Sequence, residues 1–239
     1  MMAVTSLSRR LMRLMRALRE DRSGIAVVEF AAAAPFMLGI FLTATEITNY
    51  TIVKMRVSQI ALQIADNGSR IGADSLLTDP QISETDINDL LTGAGAQATG
   101  LDLYTNGRVI VSSLEPVANP NTTSKFMIRW QRCRGLKNIA SSYGVQGDNT
   151  LDGMGPTGQV VKTPDDAGVI YVQVSYDYQP LFSASLVPHI NFNEVAAMTV
   201  RAKRDYNGND PDGAGPAMGT GVYNNEGATQ SLCSSFSAT

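Results

Sequence analysis

The sequence predicts an α+β protein in which one long N-terminal helix packs on a small antiparallel sheet with long loops. Residues 25–45 form an apolar run, and residues 46–66 continue it with apolar side chains at helical spacing. After residue 100, short segments rich in β-branched and aromatic residues alternate with clusters of Gly, Asn, Asp and Ser. A helix followed by strands and turn clusters is typical of the α+β class.

Charge divides the chain into a basic leader and an acidic body. The net charge is −3 over 239 residues, but residues 1–23 carry +4 and residues 24–239 carry −7. The leader owes its charge to six arginines, which are Arg9, Arg10, Arg13, Arg16, Arg19 and Arg22. Nucleic-acid binding requires a positive surface on the folded domain, so the acidic body argues against it.

Residues 25–45 predict a transmembrane helix. They contain one charge, Glu29, and as a helix they span about 31 Å, which is close to the thickness of the bilayer core. Six arginines precede this run, and the first basic residues after it are Lys54 and Arg56. Because basic residues are enriched on the cytoplasmic side of a membrane helix, residues 1–24 are expected to be a cytoplasmic leader. A cleaved secretory signal is the alternative, but its apolar core would be short and would include Glu29.

The apolar pattern continues beyond the predicted membrane span. Side chains at spacings of three and four predict an amphipathic helix over residues 46–66, and they are Tyr50, Val53, Val57, Ile60 and Ile64. This segment can pack on the body or on a neighbouring helix. The helix is expected to end near Asp66–Arg70, where Gly68 provides a stop.

Residues 67–239 are expected to form an α+β domain beyond the membrane, with a flexible tail from about residue 205. Ser83–Asp86 predicts a helix capping box, and Thr105–Arg108 contains the Asn-Gly pair of a β-hairpin. Strands are predicted over residues 109–114, Lys125–Cys133, Gly168–Leu181 and Ala196–Arg204. Two long loops, Gly135–Thr163 and Asn207–Thr239, are expected to be mobile unless fastened.

Few residues suggest chemistry. Cys133 and Cys233 form a disulfide if the body lies in an oxidising compartment, and remain thiols if it is cytoplasmic. The acidic loop 205–213 departs from an EF-hand at two key positions, which leaves a non-EF calcium site open. His189 has no recognisable nucleophile partner, and Gly93–Gly100 reads as a flexible link instead of a phosphate loop. We therefore expect no cofactor, no resident metal and no enzyme activity.

The residues from Gly24 to Phe30, GIAVVEF, resemble the prepilin-peptidase site of type IVb Flp pilins and TadE-like pseudopilins. The continuation into an Ala-rich stretch, a proline and further apolar residues is similar to the TadE/TadG-like signature. Phe30 stands where major Flp pilins commonly have tyrosine, which favours a pseudopilin. The segments WQRCRG and VQVSYDYQPLF also resemble periplasmic portions of TadE-like proteins.

This resemblance implies a pilin-like fold and a structural minor pseudopilin of the tight-adherence (Flp) pilus in the bacterial inner membrane, with a periplasmic C-terminal domain. Cleavage after Gly24 would create an α-amine on Ile25, and Glu29 of one subunit would pair with that amine on a neighbour. The implied partners are a prepilin peptidase, other Tad pilins and pseudopilins, an inner-membrane assembly platform with its ATPase, and membrane lipid. The alternative is an uncleaved single-pass membrane protein whose periplasmic domain binds a ligand or partner.

Overall fold

The computed structural model describes residues 12–17, 19, 23–72, 80–182, 187–201, 204 and 221–238. Its helices are α1 (Ser23–Arg70), α2 (Glu84–Gln97) and α3 (Leu103–Asn106), and residues 12–17 are also helical. Its strands are β1 (Gly107–Pro116), β2 (Phe126–Arg134), β3 (Val169–Asp177) and β4 (Asn191–Thr199). By internal contacts the chain divides into one unit up to Asn49 and a second from Tyr50, so the boundary falls inside α1.

The four strands form one antiparallel sheet in the order β2-β1-β3-β4. The long pairing of β1 with β3 aligns Gly107 with Tyr176 and Leu114 with Val169. The register of β1 against β2 shifts between Ser112 and Leu114, which is a bulge that re-aims the side chains of β2. With the helices on this sheet, the predicted α+β class is confirmed.

One face of the sheet is covered by helices. From Val53 onward, α1 places Val57, Ile60 and Ile64 in a core shared with α2 and with the sheet. The side chains that α1 packs here are the ones whose spacing predicted the amphipathic segment. The side chains of β3 that meet this core are Ile170, Val172, Val174 and Tyr176.

The other face of the sheet is covered by the segment between β2 and β3. Met154 is buried with Leu114, Ile128 and Tyr171, and Tyr143, Leu151 and Val161 pack on the same cluster. The segment is held by backbone pairs, including those of Phe126 with Leu151 and of Met154 with Val161. The predicted loop Gly135–Thr163 is therefore fastened to the sheet, and both faces of the alternating strand β3 are buried.

The C-terminal end of α1 lies where it was predicted, but the glycine predicted to end the helix does not do so. The helix ends at Arg70, within the predicted stretch, but Gly68 is helical and is not the stop. A Cβ on Gly68 would lie 3.0 Å from Ile170 Cγ2, so the glycine allows close packing of the helix on β3. Arg204, which is buried, donates from Nη2 to the carbonyl oxygens of Gly68 and Ile71 at 2.8 and 2.9 Å, and its charge suits the negative end of the helix.

The predicted hairpin at Thr105–Arg108 is wrong. Residues Leu103–Asn106 form the short helix α3, and β1 begins only at Gly107. The local Asn-Gly signal was overridden because Leu103 and Tyr104 are buried in the core and the Tyr104 hydroxyl donates to the Leu91 carbonyl. A Cβ on Gly107 would meet the Ser175 carbonyl oxygen, so this glycine serves the close approach of β3.

The predictions around α2 and β4 are partly correct. Ser83 caps α2, and its side chain and that of Asp86 form the predicted capping box. Residues 93–97 of the predicted flexible link belong to α2, because Leu91 and Ala94 are buried on the core. The fourth strand begins earlier than predicted and ends at Thr199, after which Arg201 bonds Asp66 of α1 at 2.7 Å.

The C-terminal tail, residues 221–238, is attached to the body. Tyr223 exchanges backbone hydrogen bonds with Ile82 and Glu84, at 2.7 and 2.9 Å. Further along, the Cys133 amide donates to the Ser231 carbonyl and the Gly135 amide donates to the Ser237 carbonyl. The tail therefore runs beside α2 and pairs with the last residues of β2. Residues 205–213, the predicted acidic loop, lie outside the described residues.

Candidate processing and assembly site

The first half of α1 exposes apolar side chains in every direction. Among residues 24–41, Phe30 is 67% exposed, Phe36 is 76% exposed and Ile40 is 72% exposed. The helix from Gly24 to Arg70 is the one described helix long and apolar enough to cross a membrane, and none of its most apolar window, of mean hydropathy 2.2, is buried. A helix of a globular protein packs its apolar side chains into the core, whereas this stretch leaves them exposed. It is therefore a candidate membrane span.

The predicted processing residues lie in the first turns of α1. Gly24, Ile25, Glu29 and Phe30 are all helical and exposed. Ile25 and Glu29 are four residues apart, so they lie on the same helix face about 6 Å apart along the axis. Glu29 forms no ion pair with any of the described residues.

Gly24 has no packing role in the described structure. A Cβ placed on it would find no atom within 4 Å, and the same holds for Gly39 in the same helix. Glycine within a helix costs about 1 kcal/mol relative to alanine. Neither close packing nor an unusual backbone angle accounts for Gly24 among the described residues.

Three of the six leader arginines are described. Arg13, Arg16 and Arg19 are helical and exposed, whereas Arg9, Arg10 and Arg22 lie outside the described residues. Exposed guanidinium groups suit a segment that stays beside anionic headgroups. This placement is compatible with the leader predicted for residues 1–24.

The body holds several buried charges that sequence reasoning missed. Arg132 of β2 and Glu84 at the start of α2 form an ion pair with side chains 2% and 1% exposed. Both carboxylate oxygens of Glu84 accept from the guanidinium, and the Arg132 Nε–Oε2 distance is 2.9 Å. The pair joins the capped end of α2 to the sheet. The alternation of Trp130, Arg132 and Arg134 in one strand was a signal that all three lie on one face.

Two further buried arginines have no carboxylate partner among the described residues. Arg108 donates to the carbonyl oxygens of Lys137, Cys233 and Ser235, and its guanidinium lies 4.2 Å from the centre of the Phe236 ring. Burial lowers the pKa of Arg108. Arg134 donates to Thr92 and Asn88, and Ser231 lies 3.5 Å from its Nη2. Arg108 therefore holds the tail through neutral carbonyl oxygens, whereas Arg134 is bonded mainly to α2.

The predicted disulfide is present. Cys133 at the end of β2 is bonded to Cys233 in the tail, and the two are 100 residues apart in sequence. A surface cavity of about 440 Å³ opens beside the bond and is lined by both cysteines. Cys133 is buried, whereas Cys233 is partly exposed.

Two carboxyl groups have perturbed pKa values. Burial raises the pKa of Glu115, although the charge of Arg129 and hydrogen bonds from Arg129 and Ser113 oppose the effect. Burial acts to raise the pKa of Asp177 as well, but hydrogen bonds from Lys137 and Asn191 and the charge of Lys137 lower it overall. Each of these carboxylates has an ion-pair partner, Arg129 for Glu115 and Lys137 for Asp177. Both groups therefore read as parts of the sheet's polar packing.

Cavities and histidine contacts add little chemistry. A surface cavity of about 650 Å³ lies beside Tyr104, Asp102 and Arg134. His189 is 73% exposed and its Nε2 lies 3.5 Å from Asp177. Within the residues that the structure describes, no cluster of three or more His, Cys, Asp and Glu side chains is arranged to hold a metal ion.

Comparisons of the chain with protein-family models, with curated proteins and with solved structures found no match. The residues and their geometry are therefore the basis on which a function is inferred.

Proposed function

We propose that this chain is a structural minor pseudopilin, similar to TadE-like proteins, that a prepilin peptidase processes between Gly24 and Ile25. It would be anchored in the bacterial inner membrane with its C-terminal domain in the periplasm, and would join a tight-adherence pilus at its base or tip. One observation carries the proposal: a membrane-length apolar helix begins with an exposed Gly-Ile pair and, one turn further on, carries an exposed carboxylate that forms no ion pair with the described residues.

The uncovered first half of α1 supports an assembly role. Its exposed aromatic and aliphatic side chains require lipid or neighbouring helices around them, because water penalises exposed apolar surface by about 25 cal/mol per Å². The second half of the same helix is committed to the folded body through Val57 and Ile64. One helix thus belongs at one end to an apolar environment and at the other to a folded domain.

Glu29 supports the same proposal. A charge at the bilayer centre costs about 2.5–3.5 kcal/mol, and a position one turn inside the interface costs less. Cleavage after Gly24 would remove the arginine leader and leave a positive α-amine on Ile25. The carboxylate of one subunit and the amine of its neighbour would then form a pair. That pair would favour packing of the subunits in one register over dispersal in lipid.

The peptidase step is tested by co-expressing the full chain with a prepilin peptidase of the tight-adherence type and sequencing the mature N-terminus. Wild type is expected to begin at Ile25, and Gly24→Leu is expected to retain its leader because the scissile glycine is lost. Gly39→Leu is the matched control, since Gly39 is also helical with open space around it. The control should be processed like wild type. A wild-type chain that still begins at Met1 or Met2 would contradict processing and favour the uncleaved, partner-binding alternative.

The assembly step is tested separately with Glu29→Gln, which keeps the side chain's size and removes its charge. The variant should still be cleaved but should copurify with pilus components at least tenfold less than wild type. Glu29→Asp, which retains the charge, should recover part of the loss. Equal incorporation of Glu29→Gln and wild type would remove the carboxylate–amine contact from the proposal while leaving processing intact.

A further inference from the structure

The terminal segment, residues 229–238, covers one edge of the sheet. β2 is an edge strand, and its outer backbone groups bond to two different segments. Near its start, the Phe126 and Ile128 amides donate to Leu151 and Asp148. Near its end, the Cys133 and Gly135 amides donate to Ser231 and Ser237, at 2.8 and 2.6 Å. The same strand edge therefore has a cover from the sheet-packing loop and a separate cover from the terminal segment.

The terminal segment is attached mainly by hydrogen bonds. Asn88 of α2 donates to the Thr229 carbonyl and accepts from the Ser231 hydroxyl, at 2.8 and 2.7 Å. Its larger apolar side chains, Leu232 and Phe236, are 40% and 44% exposed. Each hydrogen bond contributes modestly in net, and every residue that is ordered loses conformational freedom. The covalent attachment therefore adds to the order of the segment.

The buried guanidinium of Arg108 depends on the terminal segment for part of its hydrogen bonding. Arg108 reaches the carbonyl oxygens of Cys233 and Ser235, and without the segment two of its hydrogen-bond acceptors are lost. Water would then replace those carbonyls at a guanidinium that is 1% exposed in the covered state. Hydration of a buried charge is favourable, so opening of the segment is partly offset by solvation of Arg108.

We propose that the Cys133–Cys233 disulfide is an accessible redox switch that controls whether the terminal segment covers β2. A dithiol reductant enters the adjoining cavity, which both cysteines line, and attacks the disulfide at Cys233, the more exposed of the two residues. The sulfur of Cys133 leaves as a thiolate, and a mixed disulfide joins Cys233 to the reductant. The second thiol of the reductant then attacks this mixed disulfide and releases the thiolate of Cys233. The reductant becomes a disulfide, and both cysteines become thiols with its two electrons and two protons. The segment leaves as a unit, exposing the Cys133 and Gly135 amides and the guanidinium of Arg108, while the rest of the sheet stays folded.

This inference goes beyond the proposed function: the disulfide step itself does not depend on that function, whereas its timing during export rests on it. In a reducing compartment the end of β2 would be open, and after transfer to an oxidising compartment it would be closed. An unpaired strand edge is a site for association with other chains. Closure after export would thus prevent unintended strand pairing.

The test is hydrogen exchange of the full chain in detergent micelles, with and without dithiothreitol, read on overlapping peptides that resolve single amides within residues 131–136 and 124–129. Reduction should speed exchange of the amides of Cys133 and Gly135 at least tenfold. The amide of Ile128, on the same edge but bonded to Asp148, is the matched internal control and should change less than twofold. Cys233→Ser should behave as the open form without reductant and should not respond to it.

Two results would overturn the proposal. Retained protection of peptide 131–136 in both the reduced protein and Cys233→Ser would mean that noncovalent contacts alone hold the segment. Equal loss of protection in both peptides would mean that the disulfide supports the whole sheet instead of a separable cover. Fluorescence of Trp130, the chain's single tryptophan, reports independently whether the core stays folded.

Discussion

Replacing Arg132 with methionine should lower the free energy of unfolding by about 3–5 kcal/mol, because it leaves the Glu84 carboxylate buried without its charged partner. The magnitude follows from burial, since the two side chains are 2% and 1% exposed and both carboxylate oxygens accept from the guanidinium. For a chain of this size the loss corresponds to a fall in melting temperature of about 6–20 °C. Glu84→Gln should cost less than Arg132→Met, since its amide retains an acceptor for Arg132.

The assay is denaturant unfolding of the full chain in detergent micelles, followed by the emission of Trp130, which is 1% exposed and lies in the same strand. Combining Glu84→Gln with Arg132→Met should cost less than the sum of the two single changes, because no unpaired buried charge remains. Lys125→Met is the matched control, since its pair with Asp152 is 42% and 83% exposed and such pairs contribute about 0–1 kcal/mol. Equal effects of Arg132→Met and Lys125→Met would refute the reasoning.

Three further predictions concern glycines, a buried carboxyl and a helix end. Gly107→Ala should destabilise the protein by about 1–3 kcal/mol or more, because the new Cβ would meet a backbone oxygen. Gly93→Ala, with open space around it, should stabilise α2 by about 1 kcal/mol. Equal midpoints of the two variants in thermal unfolding would contradict this prediction. Burial raises the pKa of Glu115 above its unfolded value, so the stabilising contribution of this group is present below the unfolded pKa and is lost as pH rises through the folded pKa. Relative to Glu115→Gln, wild type should therefore lose stability as pH rises above the ordinary glutamate pKa of about 4.3, and a constant difference in denaturant midpoint would count against it. Arg204→Met should speed amide exchange in the last turn of α1, because it removes the hydrogen bonds to the carbonyls of Gly68 and Ile71. Arg201→Met should speed exchange much less, since the Arg201 side chain is 55% exposed. Equal effects would show that Arg204 does not hold the helix end.

Local patterns predicted the elements whose own side chains decide their structure. The spacing of Val53, Val57, Ile60 and Ile64 predicted both the helix and the face that it buries. The alternation in β3 predicted its two faces, and Ser83–Asp86 predicted the start of α2. In each case the information lies within a few residues along the chain.

Local patterns were misleading where a distant segment competes. The Asn-Gly signal near Thr105 lost to burial of Tyr104, whose hydroxyl bonds the carbonyl of Leu91. Gly68 is a residue type that often ends helices, but it lies inside α1, where its lack of a side chain allows the helix to pack closely on β3. Neither contact is visible from the neighbouring residues alone.

The candidate processing site was readable from the sequence in its residues, and the structure adds only its surroundings. Gly24, Ile25, Glu29 and Phe30 stand out by their order, whereas the exposure of Glu29 and the open space around Gly24 are features of the three-dimensional structure. Cleavage, membrane orientation and assembly stay predictions.

The sequence by itself determined a membrane-length apolar helix, its amphipathic extension and an alternating sheet, because hydrophobic periodicity acts over one or two turns. Only the tertiary structure decided that the loop before β3 covers the second face, that Arg132 meets Glu84, and that Arg108 holds the terminal segment. The physical reason is distance along the chain. The Arg132–Glu84 contact spans 48 residues and the Arg108–Cys233 contact spans 125, so no local pattern contains both partners.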